Sequence, residues 1–363
     1  MGRFTETYTK LEQVCRRREL SSEPSVSPEN SGSSEPGSLP QGYIPLRQAL
    51  VRYLAEYRGV QATESSILIT SGSQQSLFLI TQCLLSPGDA VAIEDPSYYY
   101  SLPMFQSAGL RIFRLPVDQD GMRPEEIRGL YKKHRIKMIF TNPNFQNPTG
   151  TLLADDRRHK LLQTASELGL PIIEDDPYSL TDYEGLPRMP LKSIDTSGSV
   201  IYIGSFSKIA ASGLRIGWMV APNSVVQRLA DARQQMDFGL SVIPQQVAAQ
   251  FLESDFFEPH LGRLRTNLMY KRDLLIEALR KELPGEIQFH IPKGGHHLWC
   301  KLSEPVNDAK LLEAAIRNGV VFVPGSVYGS DAGFVRFTFA RAKTECIGQG
   351  IAGFARALHS LRN

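Results

Sequence analysis

Only four cysteines occur in 363 residues, Cys15, Cys83, Cys300 and Cys346. They lie far apart with neither zinc-ligand nor redox spacing, so they read as reduced thiols of a cytoplasmic protein. No apolar run is long enough to span a bilayer and no cleavable signal opens the chain, so no membrane partner is expected. An excess of either charge is missing too: 40 Lys and Arg against 38 Asp and Glu leave a formal net charge of +2. That offers no broad field for nucleic acid. His296 and His297 have no third ligand at a recognisable metal spacing, so no metal is expected and both read as wall residues. What is present is an apolar share of 42%, ample for a large core, in a length that supports about two domains.

The apolar residues are unevenly spread. Residues 5–20 read as one short basic helix, and residues 21–40 form a Ser/Pro/Glu/Gly tract with too little apolar surface to offset ordering entropy. The fold proper begins near Tyr43, with helical spacing from Pro45 to Leu54 and a closing Arg58-Gly59. From Ser65 to about Leu252 strands alternate with helices, the pattern of an α/β fold with a mostly parallel sheet. From Phe256 a long amphipathic helix through Arg263, Leu268, Leu274 and Leu279 opens a smaller α+β unit. The expected divisions are residues 1–40 as helix and linker, 41–255 as a large ligand-binding domain and 256–363 as a small domain.

Chemistry concentrates where strands end. Residues 199–203 are apolar and β-branched and run into Gly204-Ser205-Phe206-Ser207-Lys208, with Arg215 seven positions on in Gly213-Leu214-Arg215-Ile216-Gly217-Trp218. Ligands of open α/β sheets bind at such carboxyl ends. The serines can donate to phosphate oxygens, Arg215 can clamp them, and the lysine is left to form a Schiff base with a carbonyl. Pyridoxal 5′-phosphate is the natural ligand of that arrangement. Residues 137–141 form a second strand, entering the Pro/Asn/Gly loop that includes Asn147-Pro148-Thr149-Gly150. A third, 170–173, runs into Glu174-Asp175-Asp176-Pro177-Tyr178, whose carboxylates are expected at the same edge, where an acid could keep a pyridine nitrogen protonated. A fourth, 67–70, enters Ser71-Gly72-Ser73-Gln74, a strand-to-helix turn with free N–H groups for a phosphate. Taken singly, these segments also read as a surface lysine, a turn, a solvated loop and a capped helix start.

Taken together and in this order, over about residues 40–360, they resemble the fold-type I pyridoxal-phosphate aminotransferases of class I/II. The likeness is closest to the aminotransferase-like domain of MocR-type regulators and their enzyme relatives. The resemblance implies that Lys208 holds the cofactor as a Schiff base, that Asp175 partners the pyridine nitrogen, and that Asn147 and Tyr178 meet the phenolic oxygen. It assigns the phosphate to Ser205, Ser207 and Arg215 with the backbone of Ser73 and Gln74, and the stacking aromatic to Tyr98, whose other reading is a core tyrosine. Arg336 lies among inward-looking aromatics in the alternating stretch 333–340, a costly place unless an anion meets it. The resemblance makes it the α-carboxylate clamp, with a structural salt bridge as the alternative. The implied activity is ping-pong transamination between an amino acid and a 2-oxo acid by a homodimer.

Two departures bear on function. A tyrosine five residues before the glycine matching Gly42 reaches the neighbouring subunit's phosphate in the family, and here that position is Gly37; the family's glycine loop is not recognisable either. Weakened activity is the expected result. The Ser/Pro tract suits a second function class, the ligand-sensing domain of a MocR-type regulator without its winged-helix module. Arg16-Arg17-Arg18 reads as a solvated helix face, so this chain is not expected to bind an operator. No second arginine is assigned to a distal carboxylate.

Overall fold

The computed structural model describes residues 40–98, 103–185, 188–237 and 239–362. The expected N-terminal helix, all but the end of the linker, Cys15, Arg16-Arg17-Arg18 and Gly37 lie outside the described residues. Helix α1, Ile44–Arg58, starts with proline in its first turn, where a missing N–H costs nothing, and ends at Gly59, whose φ of 59° lets its N–H reach the Leu54 carbonyl.

The large sheet contains β1 (Ile67–Thr70), β2 (Ala90–Asp95), β3 (Arg111–Asp118), β4 (Gly121–Met122), β5 (Met138–Thr141), β6 (Ile172–Asp175), β7 (Val200–Ser205) and β8 (Gly217–Val220). Their spatial order is β1-β8-β7-β6-β5-β2-β3-β4. The central pairings are parallel, whereas β8 runs antiparallel to β1 and β7, and β4 antiparallel to β3. Alternation along the buried strands sends side chains into separate cores. Val91, Ile93, Phe140, Ile173 and Ile201 pack with helices α2 (Ser73–Leu84) and α4 (Asn223–Met236). Ala92, Ile139, Ile172 and Val200 face α3 (Asp155–Leu168) on the other side. Ile67, Ile69, Tyr202 and Trp218 pack with α1.

The second sheet is antiparallel throughout: β9 (Ile287–Phe289), β10 (His297–Leu302), β11 (Val323–Pro324) and β12 (Phe334–Thr338), in the order β11-β12-β10-β9. Helices α5 (Phe257–Glu282) and α6 (Thr344–His359) cover it. The first turns of α5 bury Phe257 and Leu261 in the large-sheet core, and its later turns bury Leu268, Leu275 and Leu279 in the small-sheet core. One continuous helix therefore belongs to both cores. Backbone bonds from Tyr183 to Lys293 (2.9 Å) and from Ser97 to Tyr328 (3.1 Å) bring β10 and β12 to the carboxyl edge of the large sheet.

Candidate functional site

A cavity of about 330 Å³ lies at that edge, and each residue that the sequence assigned to cofactor or substrate lines it. Strand β7 delivers Ser205, Ser207 and Lys208; β6 delivers Asp175 and Tyr178; the loop after β5 delivers Asn147. The turn from β1 to α2 brings Ser73 and Gln74, the loop after β2 brings Tyr98, and the strand β12 brings Arg336 across from the second sheet. Arg215 enters just before β8.

The acidic run at the end of β6 is divided, which corrects the expectation that its carboxylates reach the edge together. Only Asp175 lines the cavity. Glu174 accepts from the backbone N–H groups of Leu191 (2.6 Å) and Lys192 (2.9 Å), and Asp176 is paired with the buried Arg58 and bonded by the Tyr202 hydroxyl (3.1 Å). Strand alternation sends 174 and 176 away from 175, and each finds a structural partner. Asp175 is the exception: Oδ1 is buried without a hydrogen-bond partner among the described residues. Burial pushes its carboxyl up to about 7; a hydrogen bond from Ser73 opposes the shift, the charge of Asp176 adds to it, and Lys208 opposes it.

Lys208 is displaced in the opposite sense. Burial lowers its pKa, the charges of Arg341 and Arg336 lower it further, and Asp175 partly restores it. The ammonium lies 5.8 Å from the ring centroid of Tyr178. A lowered pKa favours the free amine, the nucleophilic form.

At one end of the cavity, Ser207 N–H donates to Ser205 Oγ at 3.1 Å, and Arg215, itself in the left-handed region with φ 53°, donates to the Ser71 carbonyl at 2.7 Å. Gly72 beneath it has φ 101°, and a Cβ there would sit 3.1 Å from the guanidinium. The N-terminus of α2 opens here, so Ser73 and Gln74 present N–H groups that no helical carbonyl can take. At the other end, Arg336 donates to Asn147 Oδ1 at 2.8 Å and lies 5.0 Å over the ring of Tyr328. Its Nε has no hydrogen-bond partner among the described residues. Since the Asn147 oxygen accepts from Arg336, its N–H donors are what that amide can offer a ligand. Tyr98 is 37% exposed, and its backbone N–H holds the Asn147 carbonyl at 3.0 Å. Tyr178 is buried, its phenol pushed up by burial, and its hydroxyl lies 3.0 Å from His297 Nε2.

The structure adds residues that the sequence reading did not assign to the site. Asn142 donates to the Asp175 carbonyl at 2.6 Å and accepts from Asn147 N–H at 2.9 Å, bracing two site residues. Arg341 lines the cavity, bonded to Ser212 at 3.3 Å, from an irregular turn past β12 where no periodicity assigns a face. His297, read as a wall residue, lines the cavity as well.

Pyridoxal 5′-phosphate fits these residues. The orphaned buried Oδ1 of Asp175 suits a pyridine N–H, the shifted Lys208 suits an aldehyde, and Arg215, Arg336 and Arg341 face a cavity with one carboxylate among the described residues, which suits anions.

The chain is 40% identical over 313 residues to YdfD, an uncharacterized HTH-type transcriptional regulator of Bacillus subtilis, covering 86% of this chain and 65% of that protein. It is 33% identical over 326 residues to aromatic-amino-acid aminotransferase 1 of Thermococcus litoralis, covering 88% and 78%. Its structure matches the kynurenine aminotransferase of Pyrococcus horikoshii, solved in complex with PMP, with a TM-score of 0.84 and 32% identity over 99% and 87% of the two chains. The chain thus spans just under two-thirds of the length of YdfD and more of the two aminotransferases. The family described as aminotransferase class I and II matches residues 26–353, and the chain belongs to that family, with the fold-type I architecture.

Proposed function

We propose that this chain is a pyridoxal-phosphate-dependent aminotransferase unit that moves an amino group between an amino acid and a 2-oxo acid. The observation that carries the reading is one cavity holding both a lysine shifted toward its free amine and a buried carboxyl with an unpartnered oxygen. Lys208 holds the cofactor covalently. Asp175 faces the pyridine nitrogen and keeps its proton in place, which gives the buried carboxylate a matching charge. Ser205, Ser207, Arg215 and the α2 N-terminus at Ser73 and Gln74 hold the phosphate, Tyr98 covers the ring, and Asn147 and Tyr178 donate to the phenolic oxygen. When bound, the cofactor supplies an electron sink conjugated to the substrate's Cα, which makes that C–H bond acidic. Arg336 would clamp the α-carboxylate and so orient Cα, and the Lys208 amine, freed when the substrate's amino group replaces it on the cofactor, would take the Cα proton as general base.

The protein acts as a cytoplasmic homodimer, with residues 41–255 as the cofactor unit and 256–363 as the smaller one. Exposed Met236, Ile243 and Val247 supply apolar surface suited to self-association. A second reading, a ligand-sensing domain of a MocR-type regulator, is favoured by the 40% identity to YdfD. Incubating the loaded protein with single amino acids, then with a 2-oxo acid, separates the two: release of the donor's oxo acid and formation of the new amino acid over many turnovers support the enzyme. Saturable binding without turnover supports the sensor.

A further inference from the structure

Tyr178 is joined to the substrate end of the cavity by a run of hydrogen bonds. Its hydroxyl lies 3.0 Å from His297 Nε2, His297 Nδ1 lies 3.2 Å from Thr338 Oγ1, and that oxygen accepts from Arg336 Nη2 at 3.3 Å. His297 and Thr338 are register partners on β10 and β12, so the sheet itself sets their separation. A guanidinium can only donate, which fixes the sense of the run at one end. The ring of His297 is held toward its neutral form, because burial first, then Arg336, the neighbouring His296 and Lys208 all disfavour an imidazolium. A neutral imidazole donates from one nitrogen and accepts at the other, which leaves two arrangements. In one, Nδ1–H donates to Thr338, Tyr178 donates to Nε2, and Tyr178 turns only lone pairs to the cavity. In the other, Thr338 donates to Nδ1, Nε2–H donates to Tyr178, and the tyrosine proton is left for the cavity. Lys208, Arg215, Arg336 and Arg341 line that cavity against one carboxylate among the described residues, that of Asp175, so it takes anionic oxygens, and only the second arrangement offers them that donor.

We propose that His297 is a positioning residue, held as the Nε2–H tautomer, that carries a one-way run of hydrogen bonds from Arg336 through Thr338 to Tyr178 and aims the Tyr178 proton at an anionic oxygen of the bound cofactor. The inference rests on the role proposed above for Tyr178. Donors in such a run polarise one another, so a carboxylate closing on Arg336 is felt at Tyr178.

The test loads the full chain with pyridoxal 5′-phosphate and follows the visible absorption band against pH. A donor to the phenolic oxygen favours the deprotonated side of that titration, so losing it raises the midpoint. His297→Phe and Thr338→Val are each expected to raise it by about 0.5 to 1 pH unit, the range set by one hydrogen bond, and Thr338→Ser to restore it. Thr338 is exposed, so its variants keep the test open if His297→Phe does not fold. Wild-type midpoints in the folded variants overturn the inference and leave the proposed function standing; a shift in His297→Phe without one in Thr338→Val overturns the run through Thr338. Absence of any visible band from the loaded wild type overturns both the inference and the function it rests on.

Discussion

Burial acts on Asp175 and Lys208 with opposite sign, toward the protonated acid and toward the free amine. The sign has a consequence for stability. Folded Asp175 keeps its proton up to about pH 7, whereas the unfolded chain releases it near the ordinary value of 3.8. Its contribution is therefore present below that value and is lost as the pH rises through about 7. In Asp175→Asn the group cannot ionise, so the stability of the cofactor-free variant, followed by denaturant titration, should decline less than wild type from about pH 4 to 7. Parallel curves would contradict the assigned burial. Lys208 offers a companion test, because Arg341 is the largest charge acting on it. Arg341→Gln should move the pH dependence of the rate of pyridoxal-phosphate uptake to the alkaline side; an unmoved dependence would show that Arg341 does not act on the lysine.

At the level of elements, the site depends on how closely the ends of β1, β7 and β8 pack. A Cβ on Gly217 would fall 2.7 Å from Gly72 Cα, and one on Gly204 would fall 2.3 Å from the Trp218 indole. Gly217 opposes backbone, which cannot give as a flexible side chain can. Gly217→Ala should therefore cost about 1–3 kcal/mol of unfolding free energy by chemical denaturation, with weaker cofactor binding as the β1–α2 turn shifts. The pair Arg58–Asp176 ties α1 to the end of β6; Arg58→Met should cost about 3–5 kcal/mol, because it leaves a buried carboxylate without its cation. Much of this level was legible in advance. The apolar runs 67–70 and 137–141 end in threonine and 199–203 runs into Gly204-Ser205, and the observed strands end within two residues of those points. The separate fates of Glu174 and Asp176 follow from two-residue alternation, but their partners Arg58, Leu191 and Lys192 come from elements whose placement is tertiary. His297 and Arg341 were harder still: His297 meets Thr338 through the β10–β12 register and Tyr178 from the other sheet, and Arg341 sits past a strand end, where no period applies.

On the scale of the molecule, two sheets meet across one cavity, and the bond from Arg336 to Asn147 is where a β12 side chain reaches a loop of the large sheet. An α-carboxylate arriving at Arg336 would bind at that seam. Arg336→Ala should raise the amino-acid concentration needed for half-maximal reaction by roughly 10- to 100-fold, the worth of a hydrogen bond to a charged group, with a smaller effect on cofactor affinity. If Lys208 and Asp175 form a pyridoxal-phosphate site, the visible absorption spectrum of the purified protein with added cofactor, recorded beside that of Lys208→Ala, reports it. The expected result is a visible band in the wild type that particular amino acids bleach, and no such band in the variant. The same band in Lys208→Ala, or none in either protein, would contradict it.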